Sequence, residues 1–354
     1  MAKLSQEELN HLKGLDMPAF EFADENVQRF FDRAAEQGYS LDTTGFLAHP
    51  GFFQAPHRQD LTDVDIALVG SPLDLGAIGL SGARHGPRAL REASRNYGPI
   101  NDRTAEIPFD LCSIIDWGDI EWSETSLSKR LDDIAVTFAE LGAAGCYTLN
   151  AGGEHTTSFG VLKGLSEAHN ESFGLIHIDA HCDTMSTWGG DAVNDGSVFR
   201  QAALAGYINP SKTIQIGIRG RSDFLWEFSR DSGMTVISAD EVFERGPSWV
   251  IERIHSVLGS SEKTYFSFDV DALDASVMMG TTGPEPFGLS PRQVRDIIHG
   301  CYDLNVIGAD IVELNPSRDS DGGSALVASA LQWELLCLLA HCKSVRSGTG
   351  ITCW

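Results

Sequence analysis

Short apolar runs alternate with longer amphipathic stretches from about residue 60 to the end of the chain. "VDIALVG" (64–70), "SIIDWGDI", "CYTLNAGG", "GLIHIDAH" (174–181), "TIQIGIR" (213–219), "MTVISADE" (234–241), "TYFSFDVDALD" (264–274) and "VIGADIVELNP" (306–316) read as strands. Their β-branched and aromatic content and their flanking turn residues support this. Between them, "GPRALREAS" (86–94) opens a helix with Pro in its first turn, and 127–145 shows helical periodicity and ends on Gly. Further helices are expected at 244–258, 291–303 and 324–341. Residues 1–60 mix charge, aromatics and glycine and read as an N-terminal arm carrying one helix near 24–37. The rest, 61–354, has no repeat, no low-complexity tract and no linker, which predicts a single α/β domain. Regular β/α alternation implies one mostly parallel sheet with helices on both faces. Ligand sites in such sheets lie beyond the carboxyl ends of the strands.

Composition narrows the function classes. The 354-residue chain carries a formal net charge of -24, which argues against general nucleic-acid binding and suits a cationic small-molecule substrate. Seven scattered cysteines without a CxxC pair are the usage of a reduced, cytoplasmic protein. The opening residues show no signal-peptide core, and no uninterrupted apolar stretch is long enough to cross a bilayer.

Three strand ends carry the chemistry. "GLIHIDAHCDTM" places Asp179, His181 and Asp183 at spacings of two after a buried run. In extended chain such residues project to one side, and burying three of them without partners would cost several kcal/mol. "NAGGEHTTSFG" adds His155 after a Gly-Gly turn, and "SFDVDALD" adds Asp269 and Asp271, with Asp274 beyond. Two imidazoles and at least four carboxylates are too acidic a set for one tetrahedral zinc. They suit two oxygen-preferring ions such as Mn²⁺, with two carboxylates bridging.

With these motifs the chain resembles the ureohydrolase family, the arginases, agmatinases and relatives that hydrolyse guanidino groups. The likeness runs from about residue 60 to about residue 342, through "GSPLDLGAIGLSGARHGPRALR", "GGEH", "DAHCDT", "SFDVDALD", "TTGPEPFGL" and "GADIVELNPSRD". The resemblance implies a three-layer α/β/α sandwich assembled as trimers or hexamers. It implies one metal held by His155, Asp179, Asp183 and Asp269, and another held by Asp179, His181, Asp269 and Asp271. Asp179 and Asp269 would bridge. The ions would be Mn²⁺, or Ni²⁺ as in some guanidine- and biguanide-cleaving members. A metal-bridging hydroxide would attack the guanidinium carbon, and Glu285 of "TTGPEPFGL" would pair with its nitrogens in two-pronged fashion. Asp183 would take and pass on a proton.

Three departures from the family pattern concern the substrate end. The proton-relay His that precedes Phe-Arg in familiar members falls on Asp195 in "NDGSVFR". The loop "MSTWGGDAVN" lacks the polar set with which arginases hold an amino acid, and offers Trp188 as an aromatic face for a planar cation. "GTGTPE" becomes "GTTGPE", and the usual Asp-Pro becomes Asp274-Ala275. An added carboxylate at Asp195 disfavours guanidino acids. The candidate substrates are agmatine, free guanidine, or a biguanide such as metformin. The alternative is a catalytically weak partner subunit of a hetero-oligomeric ureohydrolase.

Overall fold

The computed structural model describes residues 4–14, 51–95, 97–187, 192–220 and 225–348, together with Glu25, Gln28, Arg29 and Asp32. Two compact units divide the chain, Met1–His49 and Pro50–Trp354. In the first, helix α1 (Gln6–Gly14) buries none of its residues. The helix expected at 24–37 lies outside the described residues except for Glu25, Gln28, Arg29 and Asp32, which are helical.

The second unit is built on eight parallel strands: β1 (Ile66–Ser71), β2 (Ile114–Asp119), β3 (Tyr147–Gly152), β4 (Phe173–Ile178), β5 (Ile208–Ile218), β6 (Thr235–Ser238), β7 (Lys263–Asp269) and β8 (Asn305–Val312). Their order across the sheet is β2-β1-β3-β8-β7-β4-β5-β6. Helices α2 (Gly86–Ser94), α3 (Pro108–Leu111), α4 (Leu127–Ala143), α5 (Thr156–His169), α6 (Val198–Leu204), α7 (Glu227–Asp231), α8 (Ala239–Val257), α9 (Pro291–His299) and α10 (Gly323–Ser347) connect or cover them. This is the parallel sheet with helices on both faces that the pattern predicts, and the three-layer α/β/α sandwich that the resemblance implies.

The strands are apolar on both faces because both faces are covered. Alternate side chains feed two separate cores. Ile66, Leu68, Ile176, Ile178, Phe266 and Phe268 pack with Val250 and Ile254 of α8, Val294 and Ile297 of α9, and Leu335 and Leu339 of α10. Ala67, Val69, Leu175 and Tyr265 pack on the other side with Ile134 and Phe138 of α4, Val161 and Leu162 of α5, and Phe199 of α6. The strand period of two thus becomes the division into layers. Helix α10 is long and apolar enough to cross a membrane, but it lies mostly buried in the first core.

Local chemistry sets the helix ends. Ser238 and Glu241 form a capping box at the start of α8, and Ser290 and Gln293 form one at α9, where Pro291 takes the first turn. The expected helix at 244–258 straddles a break. Gly246 sits at φ 78, ψ 166 ahead of Pro247, so the helical path starts at Ala239 and interrupts there. Proline disfavours a helical conformation in the residue before it, and glycine adopts the resulting backbone without strain. The last helix runs on to Ser347, where left-handed Gly348 ends it.

Candidate metal centre and active site

Four adjacent central strands, β3, β8, β7 and β4, deliver the site at their carboxyl ends. His155 follows β3 and caps α5, Glu313 follows β8, Asp269 ends β7 with Asp271 two residues on, and Asp179 follows β4. The chain leaves the sheet at Ile178, so Asp179, His181 and Asp183 do not project as one strand face. The Asp179 carboxylate accepts the His181 N–H (2.6 Å), and Asp183 takes a left-handed φ of 50°. This sharp turn sends Asp183 back toward His155 and swings His181 the other way. The three residues end up in one site by a turn, where strand alternation had been expected to align them.

Two nests result. In the first, His155 Nδ1 lies 2.8 Å from Asp183 Oδ2, 3.3 Å from Asp179 Oδ2 and 3.3 Å from Asp269 Oδ2. In the second, His181 Nδ1 lies 3.2 Å from Asp271 Oδ2 and 3.6 Å from Asp179 Oδ1. Asp179 therefore turns one oxygen to each nest. Asp269 shows its Oδ2 to the first nest, while its Oδ1 accepts the Asp271 N–H at 2.8 Å.

The donor set fits divalent cations. Asp179, Asp183, Asp269 and Asp271 are all buried, and His155 Nδ1, also buried, has no hydrogen-bond partner. Burial of so many like charges is costly without cations among them. Burial and the neighbouring Asp179 push the Asp183 carboxyl up to about 7. Burial and Asp271 raise Asp269 well above the usual carboxylate range. Both imidazoles are raised despite burial because carboxylates surround them. Asp179 moves the other way: despite burial it is held well below the usual range because three imidazoles face it, and the protons favoured on its raised neighbours are a charge that divalent ions would replace. His155, His177, Asp179 and Asp183 lie close enough to hold one ion, and Asp179, His181 and Asp271 a second; Asp269, expected to bridge the two, falls in neither group, although its Oδ2 faces His155 Nδ1 at 3.3 Å.

Residues within and beside the motifs, none singled out as a ligand, hold this set in place. His155 Nε2 lies 2.9 Å from Ser267 Oγ, which donates to Asp310 Oδ1 at 2.7 Å. Asp310 Oδ2 accepts from Ser158 (2.6 Å) and Tyr265 (2.8 Å). His177, fully buried in β4, sits 2.7 Å from Asp179 Oδ2 through Nε2 and takes the Gln215 amide on Nδ1 at 3.0 Å. With both ring nitrogens engaged it orients Asp179, and burial keeps it neutral. Glu313 accepts the His155 N–H (2.8 Å). Glu154 accepts the Gly76 and Thr156 N–H groups at 3.1 and 2.7 Å. Burial, opposed by Thr156 and aided by the charge of Asp195, pushes Glu154 up to about 8.

A cavity of about 270 Å³ opens above the cluster, lined by His181, Asp183, Asp195, Asp269, Asp271 and Glu313 among others, with Ile78, Met185, Leu225 and Trp226 on its walls. Asp195 accepts the Ile78 N–H at 3.0 Å and the Gly196 N–H at 2.8 Å, so its carboxylate is fixed. Glu285 Oε1 stands 3.7 Å from His181 Nε2. Trp188 lies outside the described residues.

A parallel α/β sheet that presents paired imidazole–carboxylate nests beside a small acidic cavity at its strand ends is suited to two-metal hydrolysis. The chain belongs to the arginase family, whose sequence pattern matches residues 64–337, and it is a metal-dependent amidinohydrolase of that family. It is 35% identical over 306 residues to the human mitochondrial guanidino acid hydrolase, covering 85% of this chain and 86% of that protein. It is 33% identical over 306 residues to the mitochondrial agmatinase of Gallus gallus, covering 85% and 89%. The structure of proclavaminate amidino hydrolase from Streptomyces clavuligerus superposes with a TM-score of 0.80 at 28% identity, covering 84% of this chain and 99% of that one. The resemblance carried by the motifs is thus borne out.

Proposed function

We propose that the chain hydrolyses a C–N bond of a small, wholly cationic guanidino compound: agmatine, free guanidine, or a biguanide such as metformin. One observation carries this reading. The described lining of the cavity offers several carboxylates and a single basic side chain besides histidine, Arg219, and every guanidinium donor of Arg219 is engaged by backbone carbonyls. A substrate tail ending in carboxylate would find no cation there among the described residues. It would face Asp195 instead, and desolvated like charges cost several kcal/mol.

Two divalent ions, Mn²⁺ or Ni²⁺, held among His155, Asp179, Asp183, Asp269, His181 and Asp271, would supply Lewis acidity and lower the pKa of a bound water toward neutral. The chain's own residues do the rest. Glu285 pairs with the planar cation and fixes its carbon over the two nests. Asp183 stands on the floor of the cavity, where its carboxylate can accept a proton and return one to the leaving nitrogen. Asp195, fixed by Ile78 and Gly196, receives the second positive or donor-rich end of the substrate. Water adds to the guanidinium carbon and the bond to the leaving amine breaks. Agmatine yields urea and a diamine, and metformin yields guanylurea and dimethylamine. The buried free thiols among the described cysteines support a reducing, cytoplasmic setting.

The test is a panel of guanidino compounds with Mn²⁺ and Ni²⁺ in parallel, scoring urea, guanylurea and free amine. Cationic substrates should turn over and guanidino acids should not. Asp195→Asn should narrow that gap. Preferred turnover of a guanidino acid by the wild type overturns the reading.

A further inference from the structure

Arg219 follows β5 at the edge of the cavity, and its guanidinium makes an unusual set of bonds. Nε donates to Pro286 O (3.0 Å). Nη1 donates to Gly217 O (3.2 Å) and Ala272 O (3.1 Å). Nη2 donates to Asp271 O (2.7 Å), Leu273 O (3.2 Å) and Glu285 O (2.9 Å). All six acceptors are backbone carbonyls. Five belong to two loops, 271–273 and 285–286, and these loops carry the side chains of Asp271 and Glu285. The backbone of Arg219 is itself fixed, since its N–H donates to Ala180 O at 2.8 Å, next to Asp179.

A side chain whose task was charge neutralisation would turn its fork to a carboxylate. Here Asp271 and Glu285 are both close, yet the fork faces their backbones. Both loops have further anchors. Asp271 has further anchors, because its Oδ1 accepts the Ala180 N–H (3.1 Å) and its own N–H donates to Asp269. The 285–288 turn has as many, and Leu289 just beyond it donates its N–H to Ala272 O and accepts the Asp274 N–H, both at 2.9 Å. Ala275 N–H donates to Glu285 O at 3.2 Å, and Asp274 accepts the Gly288 N–H at 3.0 Å. The turn itself has no core packing to fix it, since Phe287 sits at φ 63 with its ring exposed. It also lies hard against Arg219, for a Cβ on Gly288 would come within 2.5 Å of Nη2.

We propose that Arg219 is a positioning residue: its planar fork clamps the backbone of the 285–288 turn to the 271–273 loop and so sets where the Glu285 carboxylate meets the substrate cation. The inference rests on the role given to Glu285 above. Lysine cannot replace it. An ammonium has three donors around one point and cannot span carbonyls on two loops, whereas the guanidinium has five in a plane.

The experiment has two arms on the full chain. Hydrogen–deuterium exchange compares wild type with Arg219→Lys, and peptides covering 283–289 should exchange faster while those covering β4 and β7 do not. Unchanged exchange at 283–289 overturns the proposal, whatever the substrate is. The second arm is a double-mutant cycle with Glu285→Gln, run on the best substrate with metal content measured for each variant. Arg219→Lys should keep its metal and lose about ten- to a hundredfold in kcat/KM. Added to Glu285→Gln it should cost far less, because it acts through the same group. Additive losses, or loss of metal in Arg219→Lys, make Arg219 a structural residue and overturn the proposal. A Glu285→Gln variant with unimpaired kcat/KM removes the role of Glu285 and with it the role of Arg219 in turnover; the exchange arm separates that failure from a failure of the clamp.

Discussion

Replacing Ser267 by alanine tests whether the nest around His155 is a metal site without reference to any substrate. Ser267 is fully buried and stands between His155 Nε2 (2.9 Å) and Asp310 Oδ1 (2.7 Å). When His155 Nδ1 faces the cation, Nε2 carries the proton and donates to Ser267, which passes its own hydrogen bond to Asp310. Alanine leaves the Nε2–H and Asp310 Oδ1 without these partners. A buried polar group left unsatisfied costs about 1–3 kcal/mol. Asp310 keeps Ser158 and Tyr265 on its other oxygen, so most of the loss should fall on the imidazole. Removing a partner that orients a ligating His weakens metal affinity by about 10–100-fold. A metal present at about 100 times its Kd stabilises the fold by about 2.7 kcal/mol, and that contribution should fall to about 1.4 kcal/mol for tenfold weaker binding or about 0.4 kcal/mol for hundredfold. The assay is the rise in denaturation midpoint on adding Mn²⁺ or Ni²⁺ to chelator-treated protein. Ser158→Ala is the control, because it removes a bond to Asp310 without touching His155. It should lower the stability of both forms and leave the metal-induced rise intact. An equal metal-induced rise in Ser267→Ala and wild type would refute the assignment of His155 as a ligand.

Asp179→Ala removes the one carboxylate that faces both imidazoles, so it should abolish binding of both ions and turnover, as read by metal stoichiometry after desalting. Asp269→Ala should weaken the His155 nest first, and a variant that keeps both metals at wild-type affinity would exclude it from the ligand set. Glu285→Gln keeps the shape and removes the charge; the loss in kcat/KM should correspond to about 2–4 kcal/mol of transition-state stabilisation, and near wild-type kcat/KM would place Glu285 outside the reaction. For the metal-free protein the pH dependence has a definite sign. Asp183 at about 7 and Glu154 at about 8 lie above the unfolded values of about 3.9 and 4.3, and His155 and His181 are raised as well. The native state therefore binds more protons than the unfolded chain between about pH 4 and pH 8, with the lowered His177 and His169 opposing in part and the lowered Asp179 opposing near pH 4, and stability falls as pH rises through that window. Denaturant midpoints at pH 5.5, 6.5 and 7.5 after chelation should decline, and a flat or rising series would contradict the raised values.

The fold and the acidic cluster were legible in the chain for different reasons. The strands announced themselves because a sheet covered on both faces leaves little room for polar positions, as in Phe266 and Phe268 on one side and Tyr265 on the other. The boundary of α8 was not legible from periodicity, since the apolar spacing carries on past Gly246 while the backbone does not. Asp179, His181 and Asp183 were legible as a group, but the reason first assigned to them was local extension. The turn at Asp183 that actually gathers them depends on a left-handed residue that is not glycine, and spacing carries no trace of that.

The residues that hold the candidate ligands lie inside the quoted motifs without standing out in them, and strand order explains why. Ser267 and Asp310 lie 43 positions apart, yet β7 and β8 pair with these two residues in register, and β4 pairs alongside with His177 opposite Ser267. Once the order β3-β8-β7-β4 is known, a short row of polar positions in otherwise apolar strands, Asn150, Asp310, Ser267 and His177, runs across the sheet just below the site. All four side chains are fully buried, where a polar group survives only with partners. Each taken alone reads as an isolated polar residue in a strand. Taken across the sheet, Asp310, Ser267 and His177 form a platform under the candidate metal ligands His155 and Asp179. A catalytic motif is written along the chain because one turn presents it, whereas its support is written across the chain, in positions that become neighbours only when parallel strands align. Arg219 is the limiting case. It acts on carbonyls, which every residue carries, so nothing in the sequence of loops 271–273 and 285–286 could have pointed to it.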